Sequence, residues 1–250
     1  MFAMDSYIPP QMTVAIELEA PYIFDERIAD VTGDQINDLI YLVGDKEDSN
    51  AIYQQNLQLF IVNGATDETI KQPLNMEGYG SKLFIGDFTQ NAVSDVLVSV
   101  DSGGSGGLGF YKMYTFINDE PCKLFDYEVF NSLYNWEVKL LDNYRVEVKN
   151  STNDQVYYLD IANKSKDLIE RHYHDDGTVK GDASGDVYPL SGLYPIKVHD
   201  NADNFNLMTT QQISAVPRVD GLGLINVYLK FENNQFIPYE IVVGEYHFTK

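Results

Sequence analysis

The sequence is poor in cysteine, tryptophan and basic residues, and it has no long apolar run. Its one cysteine, Cys122, excludes an internal disulfide and a zinc site built from cysteines. Its apolar runs stay well below the roughly 18 residues needed to span a bilayer, so we expect no membrane insertion. Only 17 lysines and arginines oppose 38 aspartates and glutamates, giving a net charge of −21 without a compensating basic cluster. Because such a surface repels phosphate groups, we expect no nucleic-acid binding.

The start of the chain lacks the basic region and apolar core of a secretory signal peptide. Residues 1–11 are expected to form a loose lead-in, and residues 12–250 a single all-β domain. A mature or trimmed form of a secreted protein would begin in the same way. The missing signal peptide therefore leaves both an extracellular and an intracellular location open.

Sustained helical periodicity is also missing from the chain. Short alternating or apolar stretches, rich in the 18 tyrosines and 13 phenylalanines, are separated by turns of Asn, Asp and Gly. Only residues 126–131 and 164–169 are expected to form short helices. The sequence predicts an all-β chain of roughly 15 to 18 short strands.

One loop stands out because four oxygen-bearing side chains occupy its positions 1, 3, 5 and 9, directly before an apolar strand. These residues are Asp30, Thr32, Asp34 and Asp38. Calcium takes six to eight oxygen ligands, and the backbone carbonyl of Ile36 at position 7 can add one more. Position 12 is Tyr41 rather than a bidentate glutamate, so the loop is not an EF-hand. We interpret it as a calcium loop, with an ordinary acidic turn as the alternative.

The same arrangement recurs 57 residues later, with Val93 at position 7. The side chains at positions 1, 3, 5 and 9 are Asp87, Thr89, Asn91 and Asp95. Residues 198–207, about two steps further, again mix acids and amides but do not keep the spacing. Four units of this length would fill the chain, and a four-stranded propeller blade needs roughly 40 to 50 residues. We therefore predict a propeller-like array of antiparallel blades, with an irregular β-sandwich as the alternative.

The chain resembles the FG-GAP/VCBS-repeat family of Gram-positive bacteria, whose blades carry loops of the form D-x-[DN]-x-D-G-x-x-D between strands. The resemblance rests on residues 30–44, 83–89, 94–107 and 189–195. It implies a propeller-like fold, Ca²⁺ in the loops and an extracellular or cell-surface location, without an established activity. The chain departs from the family pattern at position 6, where Gln35 and Ala92 replace glycine, and at position 5 of the second loop, which is Asn91.

A glycine- and serine-rich stretch is the first candidate for contact with an unknown protein or glycan partner. It comprises Asp101, Ser102, Gly103, Gly104 and Ser105. Its Asp-Ser-Gly-Gly run is similar to the surroundings of the nucleophile in chymotrypsin-like proteases. In that order of the triad the histidine precedes the serine, but all four histidines of this chain follow it. We therefore expect no catalysis here.

Two other patterns have a functional and a plainer interpretation. His172 and His174 could hold a metal ion from one face of a strand, although two exposed histidines beside a turn explain them more simply. Aromatic stretches such as residues 127–136 could stack on sugar rings, although core packing explains them more simply.

The sequence thus predicts a noncatalytic calcium-binding module of the cell surface or extracellular space, acting as a structural or interaction domain. The alternative is a carbohydrate-binding or glycan-processing protein with an aromatic-lined cleft. An acidic intracellular protein whose loops hold no metal is a third interpretation.

Overall fold

The computed structural model describes residues 22–104, 106–181, 183–197, 204–216 and 220–245. These ranges contain sixteen strands and two short helices, which confirms the all-β class. The strands are β1 Tyr22–Ala29, β2 Asp38–Asp45, β3 Tyr53–Val62, β4 Thr69–Pro73, β5 Gly78–Gly86, β6 Asp95–Asp101, β7 Gly109–Thr115, β8 Cys122–Asp126, β9 Trp136–Leu141, β10 Arg145–Asn150, β11 Gln155–Asp160, β12 Ser184–Val187, β13 Gly192–Ile196, β14 Asn206–Ala215, β15 Gly221–Glu232 and β16 Gln235–Gly244. The helices are α1 Tyr127–Leu133 and α2 Lys166–His172.

The strands form two antiparallel sheets of eight strands each. The first has the order β1-β2-β3-β5-β6-β7-β8, with β4 also paired to β3. The second has the order β11-β10-β9-β12-β14-β15-β16, with β13 also paired to β14. Within the first sheet, β3 and β5 share only the pairs Tyr53–Tyr79 and Gln54–Gly78. The first sheet is thus two four-stranded meanders, β1–β4 and β5–β8, joined at one corner.

The two meanders follow the chain in parallel steps. Asp38 opens β2 and Asp95, 57 residues later, opens β6. In both meanders an acidic loop connects the first strand to the second. Strands β13–β16 form a third antiparallel meander, in which residues 197–205 take the place of that loop.

The meander β5–β8 lies between two hydrophobic cores. Val96 and Val98 of β6 belong to a core shared with Ile40 and Leu59 of the first meander. Leu97, between them in sequence, belongs to the core of the second sheet. Because β6 buries both faces, its sequence is continuously apolar instead of alternating.

Two strands carry no clear pattern in the sequence. β1 includes three successive charged residues, and it lies at a sheet edge where such residues stay hydrated. Its Asp25 carboxylate accepts a hydrogen bond from the Leu83 N–H at 2.8 Å. β12 lies in a Gly/Asp-rich segment that we expected to be a connector.

The predicted helices are both present with shifted ends. α1 begins after Asp126, whose carboxylate accepts the N–H of Glu128, and α2 is capped by Ser165. No helix among the described residues is long and apolar enough to cross a membrane. The predicted lead-in, residues 1–11, lies outside the described residues.

Candidate functional site

The first acidic loop is closed by its own backbone around Asp30. One carboxylate oxygen of Asp30 accepts the N–H of Gly33 at 2.6 Å, and the other accepts the N–H of Gln35 at 2.9 Å. Gly33 and Gln35 both have positive φ, 86° and 70°, which turns the chain around the carboxylate. At position 5, the exposed Asp34 accepts the N–H of Ile36 at 2.7 Å.

Asp38, at position 9, is fully buried, and both of its carboxylate oxygens accept hydrogen bonds. Oδ2 accepts the N–H groups of Val31 and Thr32, at 2.9 and 3.0 Å. Oδ1 accepts the hydroxyl of Thr32 at 3.4 Å and the N–H of Gly64 at 3.0 Å. Gly64 must be glycine here, because a Cβ atom would come within 2.2 Å of the carbonyl oxygen of Asn37. The turn after β3 therefore completes the environment of Asp38.

The second loop repeats this turn around Asp87. Its Oδ1 accepts the N–H groups of Gln90 and Asn91, at 2.7 and 3.3 Å, and its Oδ2 accepts the N–H of Ala92 at 3.0 Å. Gln90 and Ala92 occupy the two positive-φ positions, at 63° and 65°. Asn91 accepts the N–H of Val93 at 2.8 Å, as Asp34 does in the first loop.

The environment of Asp95, at position 9 of the second loop, is incomplete. Oδ2 accepts the N–H groups of Phe88 and Thr89, at 2.9 and 3.2 Å, but Oδ1 has no hydrogen-bond partner among the described residues. Burial raises the pKa of Asp95 to about 6. The hydrogen bonds from Phe88 and Thr89 and the nearby hydroxyl of Thr115 oppose this rise, whereas the charge of Asp87 adds to it.

The sheet register explains the difference between the two carboxylates. Gly64 lies two residues beyond the partner of Leu39 in the β2–β3 ladder, and Phe116 lies two residues beyond the partner of Val96 in the β6–β7 ladder. The two residues therefore occupy equivalent places. Gly64 donates its N–H to the first loop, while Oδ1 of Asp95 receives no donor at the place of Phe116.

Each loop also contacts the unit that follows it. The carbonyl of Asp30 accepts the N–H of Ser94 at 3.1 Å, and the carbonyl of Asp87 accepts the N–H of Phe205 at 2.7 Å. Ser94 and Phe205 each directly precede the first residue of the second strand in their meander. Residues 198–203 of the expected third loop lie outside the described residues, so its predicted role is not addressed by the structure.

The oxygen-rich donor set of both loops suits a hard cation in its chemistry. Within the described ranges, no three His, Cys, Asp or Glu side chains lie close enough together to hold a metal ion. In the first loop the carboxylates of Asp30 and Asp38 face backbone N–H groups on separate sides. A calcium ion would have to draw the exposed Asp34 carboxylate, or Asn91 in the second loop, away from its bond to the backbone.

The Gly/Ser-rich stretch forms the β6–β7 turn, at the opposite end of β6 from the second acidic loop. The N–H of Ser102 donates to the carbonyl of Leu108 at 3.0 Å. Gly103 has a φ of 75° and lies so close to the Tyr79 ring that a Cβ atom would come within 2.2 Å of it. Asp101 and Gly104 are exposed, as a contact loop requires, and Ser105 lies outside the described residues.

The two-histidine interpretation is wrong in its structural premise. His172 is the last residue of α2 and is buried, whereas His174 is exposed beyond the helix. The Nε2 atom of His172 lies 2.8 Å from Oδ2 of Asp220, and Arg171 contacts both oxygens of that carboxylate at 2.6 and 2.7 Å. The two imidazoles do not share a strand face, and His172 belongs to an internal ion-pair cluster.

A cavity of about 180 Å³ opens in the second sheet, between the α1–β9 connection and β14. Tyr134 and Trp136 line it as a stacked pair, with ring centroids 5.9 Å apart and an interplanar angle of 26°. Gln211 of β14 lines it as well and is 5% exposed. The aromatic stretch drew attention in the sequence, but Gln211 did not. Its only signal was a pair of adjacent glutamines in a predicted strand.

Comparison with known proteins links this second sheet to a described family. The model of the YybI C-terminal domain matches residues 134–244, a range that starts just before β9 and ends with β16. The chain is also 29% identical over 231 residues to the uncharacterized protein YybI of Bacillus subtilis (strain 168), covering 88% of this chain and 87% of that protein. The cavity beside Trp136 and Gln211 lies inside the matched range.

Proposed function

We propose that the protein is a noncatalytic, calcium-binding interaction module that works at the cell surface or outside the cell. One observation carries the proposal: two loops 57 residues apart share the same hydrogen-bond framework. In both, the carboxylate at position 1 accepts the N–H groups of positions 4 and 6, and the carboxylate at position 9 accepts those of positions 2 and 3. A framework kept in two places, with oxygen side chains at positions 3 and 5, supports a common ligand.

Calcium is the proposed ligand. In the first loop the side chains of Asp30, Thr32, Asp34 and Asp38 and the carbonyl of Ile36 would hold it, and in the second loop those of Asp87, Thr89, Asn91 and Asp95 and the carbonyl of Val93 would do so. An ion wrapped in this way lacks the open coordination position of a catalytic metal, which supports a structural role. Extracellular modules bind calcium with dissociation constants of roughly 10⁻⁴ to 10⁻³ M, so millimolar calcium would add roughly 1 kcal/mol per loop.

We also infer that the three meanders are blade-like units of an FG-GAP/VCBS type. The carbonyl of Asp30 bonds to the second unit and the carbonyl of Asp87 bonds to the third, through N–H groups at matching places. The strands β9–β12 with both helices would then be an insertion between the second and third units. An irregular β-sandwich of the two sheets is the alternative. A crystal structure without the bond between Asp87 and Phe205 would contradict the blade interpretation.

The calcium proposal is tested by thermal unfolding in millimolar calcium and in chelator. For a chain of this length, roughly 1 kcal/mol corresponds to about 2–4 °C, so we expect calcium to raise Tm by several degrees. Asp30→Ala should remove most of this rise and Asp87→Ala a smaller part, while Asp175→Ala, at an exposed turn away from both loops, should leave it unchanged. An unchanged Tm between calcium and chelator would rule out the calcium sites.

The proposed location is tested separately by labelling intact cells with an antibody against the protein. We expect labelling without permeabilisation. Detection only after the cells are opened would contradict the surface location and leave the calcium sites unaffected.

A further inference from the structure

The cavity beside Trp136 combines flat aromatic rings with polar side chains. Its walls include Tyr134, Trp136, Tyr188 and Gln211, and Asn131 and Asp186 lie at its border. At about 180 Å³ it is smaller than the roughly 300–1,000 Å³ of pockets for drug-sized molecules. It has room for a single ring with its substituents.

Two buried polar atoms on these walls have no hydrogen-bond partner among the described residues. They are the Nε1 atom of Trp136, a donor, and the Oε1 atom of Gln211, an acceptor. The amide of Gln211 is fixed in its orientation, because its Nε2 donates to the carbonyl of Tyr188 at 2.9 Å and a carbonyl can only accept. Buried polar groups without partners are uncommon in folded proteins and call for an explanation.

A bound hydroxyl group would satisfy both atoms, since a hydroxyl donates to an acceptor and accepts from a donor. The carboxylate of Asp186 at the border and the net charge of −21 disfavour an anionic ligand. A neutral sugar ring meets these requirements: it offers hydroxyl groups along its edge and an apolar face that packs on aromatic side chains. We propose that this cavity binds one neutral sugar ring, either a free monosaccharide or the terminal residue of a glycan.

This inference names a ligand class for the proposed interaction module, and it does not depend on calcium. If the cavity were only a packing defect, replacing Gln211 by a leucine would remove an unsatisfied acceptor and change no binding. If the cavity binds a sugar, the same substitution removes the acceptor that the ligand needs.

The single tryptophan of the chain makes the test direct, because Trp136 lines the cavity and is the only source of indole fluorescence. The folded protein is titrated with glucose, galactose, mannose and N-acetylglucosamine, with disaccharides that end in them, and with glucuronic acid. We expect a saturable change in fluorescence with at least one neutral sugar and a weaker response to glucuronic acid. Tighter binding of the disaccharide than of the monosaccharide would identify a glycan end as the source.

Gln211→Leu should weaken that binding about tenfold or more, the loss expected when one well-placed hydrogen bond is removed. The matched control is Gln58→Leu, because Gln58 lines a separate cavity of about 530 Å³ in the first sheet. It should leave the binding unchanged. If Gln211→Leu does not fold, as judged by circular dichroism, Asn135→Ala replaces it, since the exposed side chain of Asn135 also borders the Trp136 cavity.

Titrations in calcium and in chelator separate this inference from the calcium proposal. Sugar binding in both conditions supports the cavity assignment whatever the calcium response. No saturable response to any sugar, or equal affinity in Gln211→Leu and the unmodified protein, would overturn it.

Discussion

In the first acidic loop the Asp38 carboxylate accepts four hydrogen bonds from described residues, whereas in the second loop the Asp95 carboxylate accepts two. The loops have the same spacing, the same turn and the same buried position 9. The difference comes from outside the loops, at the end of the strand that pairs with each outgoing strand. Gly64 brings an N–H to Asp38, and nothing described does the same for Asp95.

The comparison shows that the spacing of residues within a loop determines its turn but not the state of its buried carboxylate. A buried carboxylate without enough donors is costly in its charged form and takes up a proton more readily. Asp38 is therefore a fixed structural element, while Asp95 is an acceptor with unused capacity. In the proposed calcium sites, that capacity makes the second loop the one whose position 9 has most to gain from a cation.

Truncating the two carboxylates should separate them most clearly. Asp38→Ala leaves three N–H groups and one hydroxyl without their acceptor, and we expect a loss of roughly 3–5 kcal/mol in the free energy of unfolding. Asp95→Ala strands two N–H groups but also removes a poorly solvated carboxylate, so its loss should be roughly 1–2 kcal/mol. Urea unfolding in chelator measures both. Equal losses for the two variants would contradict the asymmetry.

The pH dependence of stability should come next in size. Between the ordinary aspartate pKa of 3.8 and the native value of about 6 for Asp95, the native state holds a proton that the unfolded state has released. Stability therefore falls as the pH rises through this window, by roughly 2–3 kcal/mol for this group, and the loss is complete above the native pKa. Urea unfolding of the unmodified protein and of Asp95→Asn, from pH 4 to pH 7, measures the difference.

Asp95→Asn cannot ionise, so its stability relative to the unmodified protein should increase as the pH rises from 4 to 7. Phe88 and Thr89 keep an acceptor in this variant, because the asparagine carbonyl can take the place of Oδ2. A stability difference that stays constant over this range would show that Asp95 is not the titrating group.

Much of the fold could be predicted from local patterns. The apolar run of β6, the turns around Asp142 and Asn233, and the helix cap at Asp126 all follow from residues close in sequence. The strand β1 could not, because its charged sequence is stable only at an edge where Asp25 reaches β5. Edge strands owe their pairing to neighbours, and their own sequence carries little of that information.

The candidate site divides in the same way. The oxygen side chains at positions 1 to 9 could be identified by spacing alone, and the two turns are built alike. The unsatisfied oxygen of Asp95 could not, because it depends on where the chain goes after β7. The cavity could not be predicted either, since it brings Trp136 of β9 next to Gln211 of β14 through the pairing of β12 with both strands.

The smallest expected effect concerns position 6, where both loops have a positive φ without a glycine. Gln35 has a φ of 70° and Ala92 a φ of 65°, a conformation that costs residues with a Cβ atom more than it costs glycine. Gln35→Gly and Ala92→Gly should each stabilise the protein by roughly 0.5–1 kcal/mol, with the gain partly offset by the greater freedom of glycine in the unfolded chain. Urea unfolding in chelator measures both variants.

This substitution tests the part of the comparison in which the loops are alike. Because the position-1 carboxylate accepts the N–H of position 6 in both loops, the backbone there is held in the same way, and the two gains should be equal. Gly64→Ala is the opposite control: its new Cβ atom would collide with the carbonyl of Asn37, and it should destabilise the first loop alone. A loss of stability in Gln35→Gly or Ala92→Gly would mean that the side chain at position 6 contributes contacts outweighing the backbone strain.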